Sequence, residues 1–324
     1  MGALNATPLL IAVVGPTASG KSALGLALAE RFNGEIVNYD SVQLYRGCDI
    51  GSGKLAPGER LGIPHHLLDC ADPSETVTAG DYARQATRVL NRLAAQGKTP
   101  VLVGGTGLYL RALLDGLFEA PARSEPLRAR LRAVEERRGS EFLHRMLRRL
   151  DGPAAGLIAP QDLQKVIRAL EVCLVSRQPI SRLQARGRNA LQGFRSLKIG
   201  LNPPRELLYG RINRRTERMF SDGLLEEVSA LSSRRESPRP KPLEALGYRQ
   251  ASEHLQGRIT LAEAIRLTQR ETRRYAKRQM TWFRREPGVI WFLGFGDDPN
   301  LQQAAFERIQ GDFSAADSAR PLLA

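Results

Sequence analysis

Leu9-Leu10-Ile11-Ala12-Val13-Val14 runs without a polar interruption into Gly15-Pro16-Thr17-Ala18-Ser19-Gly20-Lys21-Ser22. An uninterrupted apolar run that stops at a glycine reads as a strand buried on both faces. The segment from Gly15 to Ser22 fits G-x-x-x-x-G-K-[ST]. A loop of this kind turns backbone N–H groups around an anion, adds the Lys21 ammonium as a point charge, and offers the Ser22 hydroxyl to Mg²⁺. Ala23 to Phe32 reads as the helix whose positive end faces the same anion. The motif, shared by nucleotide- and ATP-binding proteins, specifies a di- or triphosphate and leaves the reaction open.

Gly34 to Asp40 reads as a second short strand ending on a carboxylate. In an open parallel sheet, strand ends gather at the carboxyl edge, where ligands bind. Asp40 therefore either looks into the phosphate site or caps the turn that begins at Ser41. Gln43 to Pro64 is glycine-rich, polar and aperiodic, and reads as a functional loop over the site. His65 and His66 are adjacent and point in different directions on a strand, which favours hydrogen-bonding or packing roles over a metal pair. Thr78 and Asp81 form a capping box for a helix with Tyr82, Ala86, Val89, Leu90 and Leu93 inward, closed by Gly97. Thr99 to Val103 is a third strand, and Gly104 to Gly107 after it is either a close approach to a ligand or a tight turn. Three such βα units predict a doubly wound α/β fold, a P-loop NTPase-like parallel sheet flanked by helices.

Composition changes near Phe118, where Pro121 and Pro126 bracket a linker into arginine-rich helices. Leu127, Leu131 and Val134 form one apolar stripe; Phe142, Leu143, Met146, Leu147 and Leu150 form another. Residues 118–185 are expected to be an inserted all-helical domain, with 1–117 and 186–324 forming the core. Its arginines either touch phosphate or solvate small helices. Asp162 to Ser176 is a helix with Leu163, Val166, Ile167, Leu170 and Leu174 inward and Gln164, Lys165 and Arg168 on its other side. Lys198 to Leu201 returns to the sheet. The next helix sets Arg211 and Arg215 four apart, a spacing that suits an oligophosphate or a surface charge stripe. Ser232 to Pro242 reads as a linker, and Thr260 opens a long helix. Between Arg266 and Arg285 stand eight basic residues and one acidic, with Tyr275, Trp282 and Phe283 interleaved. That pattern is a nucleic-acid footprint, since phosphate contacts position and rings stack on exposed bases. Val289 to Leu293 is a last strand, and the tail beyond Gly296 is expected to be weakly ordered.

With 324 residues and a net charge of +14, the chain is long enough for a large core and basic enough to favour a polyanion, nucleic acid ahead of a membrane surface. No apolar segment approaches the 18 or so residues of a membrane helix, and no leader precedes Leu9, so a cytoplasmic protein is expected. Cys48, Cys70 and Cys173 are far apart, against zinc or disulfides.

The ordered set Gly15-Pro16-Thr17-Ala18-Ser19-Gly20-Lys21-Ser22, Asp40-Ser41-Val42-Gln43-Leu44-Tyr45, Gly104-Gly105-Thr106, Arg168-Ala169-Leu170-Glu171-Val172, Arg211-Ile212-x-x-Arg215, Gly247-Tyr248-Arg249 and Lys277-Arg278-Gln279-Met280-Thr281-Trp282-Phe283-Arg284 resembles the tRNA isopentenyl transferase family over about residues 8 to 295. The resemblance implies a bacterial enzyme that moves a dimethylallyl group from dimethylallyl diphosphate to N6 of adenosine 37, in tRNAs that read codons beginning with U. It implies Mg²⁺, a monomer, and a tRNA anticodon stem-loop as partner. By resemblance Asp40 is the general base, Thr17 donates to the bridging oxygen, Lys21 and Arg215 neutralise the terminal phosphate, and Ser22 helps hold the metal. The tRNA contacts then fall on Asp40, Ser41, Val42, Gln43, Thr106, Gln164, Lys165, Val166, Ile167, Arg168, Lys277, Arg278, Gln279, Met280, Thr281, Trp282, Phe283 and Arg284. The chain departs from the family loop Asp-Ile-Gly-Thr-Ala-Lys-Pro at Asp49-Ile50-Gly51-Ser52-Gly53-Lys54-Leu55. It also departs from Gln-Arg-Leu-Ser-Arg at Gln164-Lys165-Val166-Ile167-Arg168. The rival readings are a small-molecule kinase and a nucleotide-switched RNA-binding protein.

Overall fold

The computed structural model describes residues 7–234 and 240–318, so positions 235–239 of the expected Ser232–Pro242 linker lie outside the described residues. Six strands form one sheet: β1 (Leu9–Val14), β2 (Gly34–Asn38), β3 (His65–His66), β4 (Thr99–Val103), β5 (Arg195–Leu201) and β6 (Val289–Phe292). Their order is β3-β2-β4-β1-β5-β6 and every neighbouring pair is parallel.

The apolar run that opens the chain is the inner strand β1, with Ile11 opposite Val101 of β4 and Leu197 of β5. Its residues are at most 7% exposed, because both faces are covered and alternation has no use there. Leu10, Ala12 and Val14 pack into one core with Tyr82, Leu90, Leu110 and Leu113 from α2 (Ala79–Ala95) and α3 (Gly107–Leu114). Leu9, Ile11 and Val13 pack into the other with Leu24 and Leu28 of α1 (Lys21–Arg31). Burying these two faces is the main stabilisation of the sheet, roughly 1.5–3 kcal/mol for each fully buried aliphatic side chain.

The described residues divide into two compact units, one holding the sheet and the other spanning Asp115–Ala190. The second unit comprises α4 (Glu125–Arg138), α5 (Ser140–Leu150), α6 (Gly152–Leu157), α7 (Leu163–Ser176) and α8 (Ile180–Ala185). Leu131, Leu143, Leu147, Val166, Ile167 and Leu170 form its core. Inside it the Glu171 carboxylate, fully buried, accepts from Arg128 Nε at 3.1 Å, Arg168 Nη1 at 2.7 Å and the Ser124 N–H at 2.7 Å. Burial would raise this carboxyl, but those hydrogen bonds outweigh it and hold Glu171 below the usual range.

Back in the sheet unit come α9 (Arg205–Ser221), α10 (Leu224–Ser232), α11 (Tyr248–Leu255), α12 (Leu261–Phe283) and α13 (Pro299–Ser318). The Thr260 hydroxyl caps α12 by accepting from the Glu263 N–H, as its capping sequence predicts. Part of the chain beyond Gly296 departs from expectation. Pro299–Ser318 is helical, because Leu301, Ala305 and Ile309 recur every four residues and bury against the β1 face shared with α1.

His66 Nε2 lies 2.6 Å from Glu35 Oε2, a hydrogen-bonding role, and the three thiols are free. No group of three or more His, Cys, Asp or Glu suited to a metal occurs among the described residues.

Candidate active site

At the carboxyl ends of β1, β2 and β4 the sheet opens into a cavity of about 520 Å³, whose lining includes Thr17, Lys21, Ser22, Asp40, Gln43, Gly105, Arg215, Tyr275 and Gln279. The phosphate-type loop supplies one wall. Its turn depends on left-handed backbone at Ala18 (φ 63°) and Gly20 (φ 86°), which brings the loop onto the first turn of α1. Thr17, Ala18, Gly20, Lys21 and Ser22 line the cavity, whereas Gly15, Pro16 and Ser19 do not. Those three shape the loop instead: the Pro16 carbonyl accepts from Lys21 Nζ at 2.7 Å, Gly15 backs onto the Leu201 carbonyl, and Ser19 is fully buried with its hydroxyl unpartnered.

Burial lowers the Lys21 ammonium to about 7; Asp40 pulls the other way and Arg215 pushes it further down. Burial, opposed by Asp40 and helped by Arg218, likewise lowers Arg215 below its ordinary range, though a guanidinium stays charged at neutral pH. Two desolvated cations side by side are costly unless an anion joins them. An oligophosphate has the charge to do so.

Arg215 reaches from α9 to donate through Nη1 to the Thr17 hydroxyl at 3.4 Å and through Nη2 to the Ser52 carbonyl at 3.3 Å. Arg211, which its spacing paired with Arg215, also lines the cavity but is held by Asp297 at 2.7 Å and lies 3.6 Å over the Phe295 ring. Its charge is thereby largely spoken for. Arg214 and Arg218, exposed on the same helix, complete the cationic rim.

Both readings of Asp40 hold, one for each oxygen. Oδ1 turns back to accept from the Val42 N–H at 2.9 Å and the Gln43 N–H at 3.4 Å, capping the turn. Oδ2 accepts no hydrogen bond among the described residues and lies toward Gly105, Tyr275 and Gln279. The carboxylate is thus oriented by one edge and available at the other. Ser41 and Thr106 tie this turn to the end of β4, the Thr106 hydroxyl accepting from the Ser41 N–H at 3.0 Å. Gln43 Nε2 reaches the Ser52 and Gly53 carbonyls at 3.2 and 3.4 Å.

Gly104 and Gly107 permit close approach of protein to protein: a Cβ on Gly104 would sit 2.5 Å from the Tyr39 carbonyl carbon, and one on Gly107 would sit 2.3 Å from Trp282 Nε1. The loop over the site is held by Glu227, which sequence reasoning missed. Its carboxylate accepts from the N–H groups of Asp49, Ile50 and Gly51 at 2.8, 2.8 and 3.1 Å, and from the Tyr248 hydroxyl at 2.6 Å. Nothing in the local pattern of α10 marks this residue.

The residues expected to contact tRNA differ in exposure. The side chains of Val166 and Ile167 are buried in the core of the helical unit and that of Phe283 in a core of the sheet unit, so these side chains present no surface. Their apolar side chains follow the inward stripes of their helices. Gln279 is also buried, at 5% exposure, and bonds to protein on both sides. Arg168 is half-buried and engaged with Glu171. Gln164, Lys165, Lys277, Arg278, Thr281 and Arg284 are exposed, and Met280 is partly so. Trp282 is partly buried with Arg111 4.3 Å above its ring.

Ser22 sits where a strand-delivered loop enters its helix, and among the described residues the cavity holds no cage of carboxylates. Such a donor set suits a Mg²⁺ that takes most of its ligands from water and substrate phosphate.

Comparison with known proteins gives the family of the chain. Residues 43–286 match the family described as IPP transferase. The chain is 55% identical over 300 residues to the tRNA dimethylallyltransferase of Solibacter usitatus, covering 93% of this chain and 97% of that one. It is 54% identical over 303 residues to that of Koribacter versatilis, covering 94% and 98%. Among crystal structures, a tRNA isopentenylpyrophosphate transferase from Bacillus halodurans superposes with a TM-score of 0.70 at 37% identity, covering 96% of this chain and 98% of that one. A eukaryotic dimethylallyltransferase captured acting on tRNA gives 0.79 at 26% identity, covering 98% and 81%.

Proposed function

The chain belongs to the IPP transferase family, and from that premise we propose that it transfers a dimethylallyl group from dimethylallyl diphosphate to N6 of adenosine 37 in tRNAs reading codons that begin with U. It is a tRNA dimethylallyl-transferring enzyme; the position in the tRNA, the codon class and the residue roles are our reading. One observation carries it: Thr17, Lys21 and Arg215, three donors suited to a diphosphate, share a cavity with an Asp40 whose Oδ2 is available.

In this reading the bond from the allylic carbon to the bridging diphosphate oxygen breaks as the bond from N6 to that carbon forms. The N6 lone pair is delocalised into the adenine ring, so removal of its proton by Asp40 Oδ2 assists attack. The Thr17 hydroxyl accepts a hydrogen bond from Arg215 and is left to donate its own hydrogen bond to the departing oxygen. Lys21 and Arg215 neutralise the charge that accumulates on diphosphate, the larger electrostatic task. Mg²⁺, held through Ser22 and substrate phosphate, would supply further charge neutralisation there. The adenine has to leave its stack to reach this cavity.

No described helix is long and apolar enough to cross a membrane, and we assign the protein to the cytoplasm because its substrate is tRNA. The exposed cations Lys277, Arg278 and Arg284, with Gln164 and Lys165 of the helical unit, support RNA binding. The deciding experiment incubates protein, Mg²⁺, radiolabelled dimethylallyl diphosphate and an anticodon stem-loop RNA containing A37. Label in the RNA, lost when A37 is replaced by guanosine, is the expected result. Turnover with ATP and no labelled RNA would instead establish a kinase.

A further inference from the structure

Gln279 sits where two halves of the cavity meet. Its Oε1 accepts from the Thr17 N–H at 2.7 Å, and its Nε2 donates to the Gly105 carbonyl at 2.9 Å. The same carbonyl accepts from the Tyr275 hydroxyl at 3.2 Å, and Tyr275 lies one helical turn before Gln279 on α12. Burial, aided by Asp40, raises the Tyr275 phenol above its ordinary range, so it remains a neutral donor.

Thr17 belongs to the loop after β1, and the Gly104–Gly105 turn comes directly after β4. That turn presses on the base: a Cβ on Gly104 would lie 2.7 Å from the Asp40 N, and one on Gly105 3.2 Å from Asp40 Oδ2 and 2.6 Å from Gln279 Nε2. A single buried carboxamide is therefore bonded to the residue that touches the leaving group and to the turn that abuts the base. In ordinary phosphate loops the backbone N–H groups are spent on the anion. Here the Thr17 N–H is taken by protein, which fixes that residue's backbone and leaves its hydroxyl for the substrate.

We propose that Gln279 is a positioning residue that sets the spacing between Thr17 and Asp40, rather than a tRNA contact. This rests on the reaction assigned above. The bond to Gly105 is buried and the bond to Thr17 is part-buried at the cavity wall, and an amide that satisfies both is geometrically demanding. A misplacement of about 1 Å at a reacting centre can cost on the order of 10²-fold in rate without touching substrate affinity.

The test measures single-turnover rate and the KM of donor and RNA for Gln279→Met, which loses both bonds, and Gln279→Glu, which keeps the acceptor for the Thr17 N–H and loses the donor. Both are expected to lower the rate by roughly 10-fold or more while each KM moves by less than about threefold. On a Thr17→Ala background, Gln279→Met is expected to cost less than about threefold, because the group it positions is already gone. If Gln279→Met fails to fold, Gln279→Glu carries the same comparison on its own. A rate within twofold of the unmutated protein, a loss confined to the RNA KM, or losses that add fully to those of Thr17→Ala overturn the proposal. Failure of the unmutated protein to label RNA overturns the reaction instead, so the two outcomes stay separate.

Discussion

Arg215 Nη1 donates to the Thr17 hydroxyl oxygen at 3.4 Å, joining a desolvated guanidinium of α9 to the loop that ends β1. In the proposed reaction the charge that neutralises the leaving group and the hydroxyl that donates a hydrogen bond to it are thus coupled. Arg215→Ala is expected to weaken donor binding and to lower the chemical rate by roughly 10²-fold, in the range of losing one preorganised electrostatic donor. Calorimetry with a non-hydrolysable donor analogue and single-turnover labelling check the two parts. Unchanged values in both would remove Arg215 from the site.

Asp40→Asn preserves the shape that accepts the Val42 and Gln43 N–H groups through Oδ1 and removes the basic oxygen at Oδ2. Donor affinity should stay within about threefold while the single-turnover rate drops by roughly 10² or more. Quench-flow with labelled donor measures it.

Donor affinity should depend on pH through Lys21. In the free protein burial and Arg215 lower this ammonium to about 7, so it is partly neutral at neutral pH. A bound diphosphate restores the charged form and raises that value, so binding above pH 7 takes up a proton. Affinity is therefore level below about pH 7 and falls above it, by at most about tenfold per pH unit. Titrations in buffers of different ionisation enthalpy read the proton directly. Lys21→Met should bind more weakly and lose the slope; a native slope in that variant would assign the proton elsewhere.

Gly53 adopts φ +62°, and a Cβ there would fall 1.6 Å from Arg215 Nη2. Gly53→Ala is expected to push the guanidinium aside and to lose on the order of 1–2 kcal/mol of stability from the left-handed backbone. Donor affinity should fall in the same direction as for Arg215→Ala, by less. Thermal unfolding and donor titration check both.

Lys277, Arg278 and Arg284 are exposed on or just beyond the last turns of α12. Each alanine substitution should weaken RNA binding and reduce the salt slope of its affinity by about one for each phosphate no longer neutralised, with donor affinity unaffected. Fluorescence anisotropy at several salt concentrations gives the slopes.

Much of this was legible in the chain because it depends on local patterns. The run from Leu9 to Ser22 announced a buried strand, a loop and a helix, and the Thr78 and Thr260 caps marked where α2 and α12 begin. The helix from Pro299 was missed because its apolar stripe is carried by Leu301, Ala305 and Ile309 among small and polar neighbours. Motif matching names Val166, Ile167 and Phe283 among the RNA contacts, and the periodicity of their own helices is what puts their side chains in cores. Glu227 and the inward role of Gln279 were invisible for another reason. Each acts on backbone groups far away in sequence, Thr17 being 262 positions from Gln279, and no local spacing encodes such a partnership.

Strand order also bears on how the chain is made. β1 pairs with β4 on one edge and β5 on the other, and the whole of Asp115–Ala190 is threaded between those partners. A ribosome that has delivered Ala190 has released the complete helical unit, with its own core, but only four of the six strands. Until Arg195–Leu201 emerges, β1 waits with one apolar edge unzipped, the kind of surface that recruits foreign strands. A product stalled after Ala190 should therefore keep a folded helical portion while its sheet portion clumps, a difference that limited proteolysis of stalled chains would reveal.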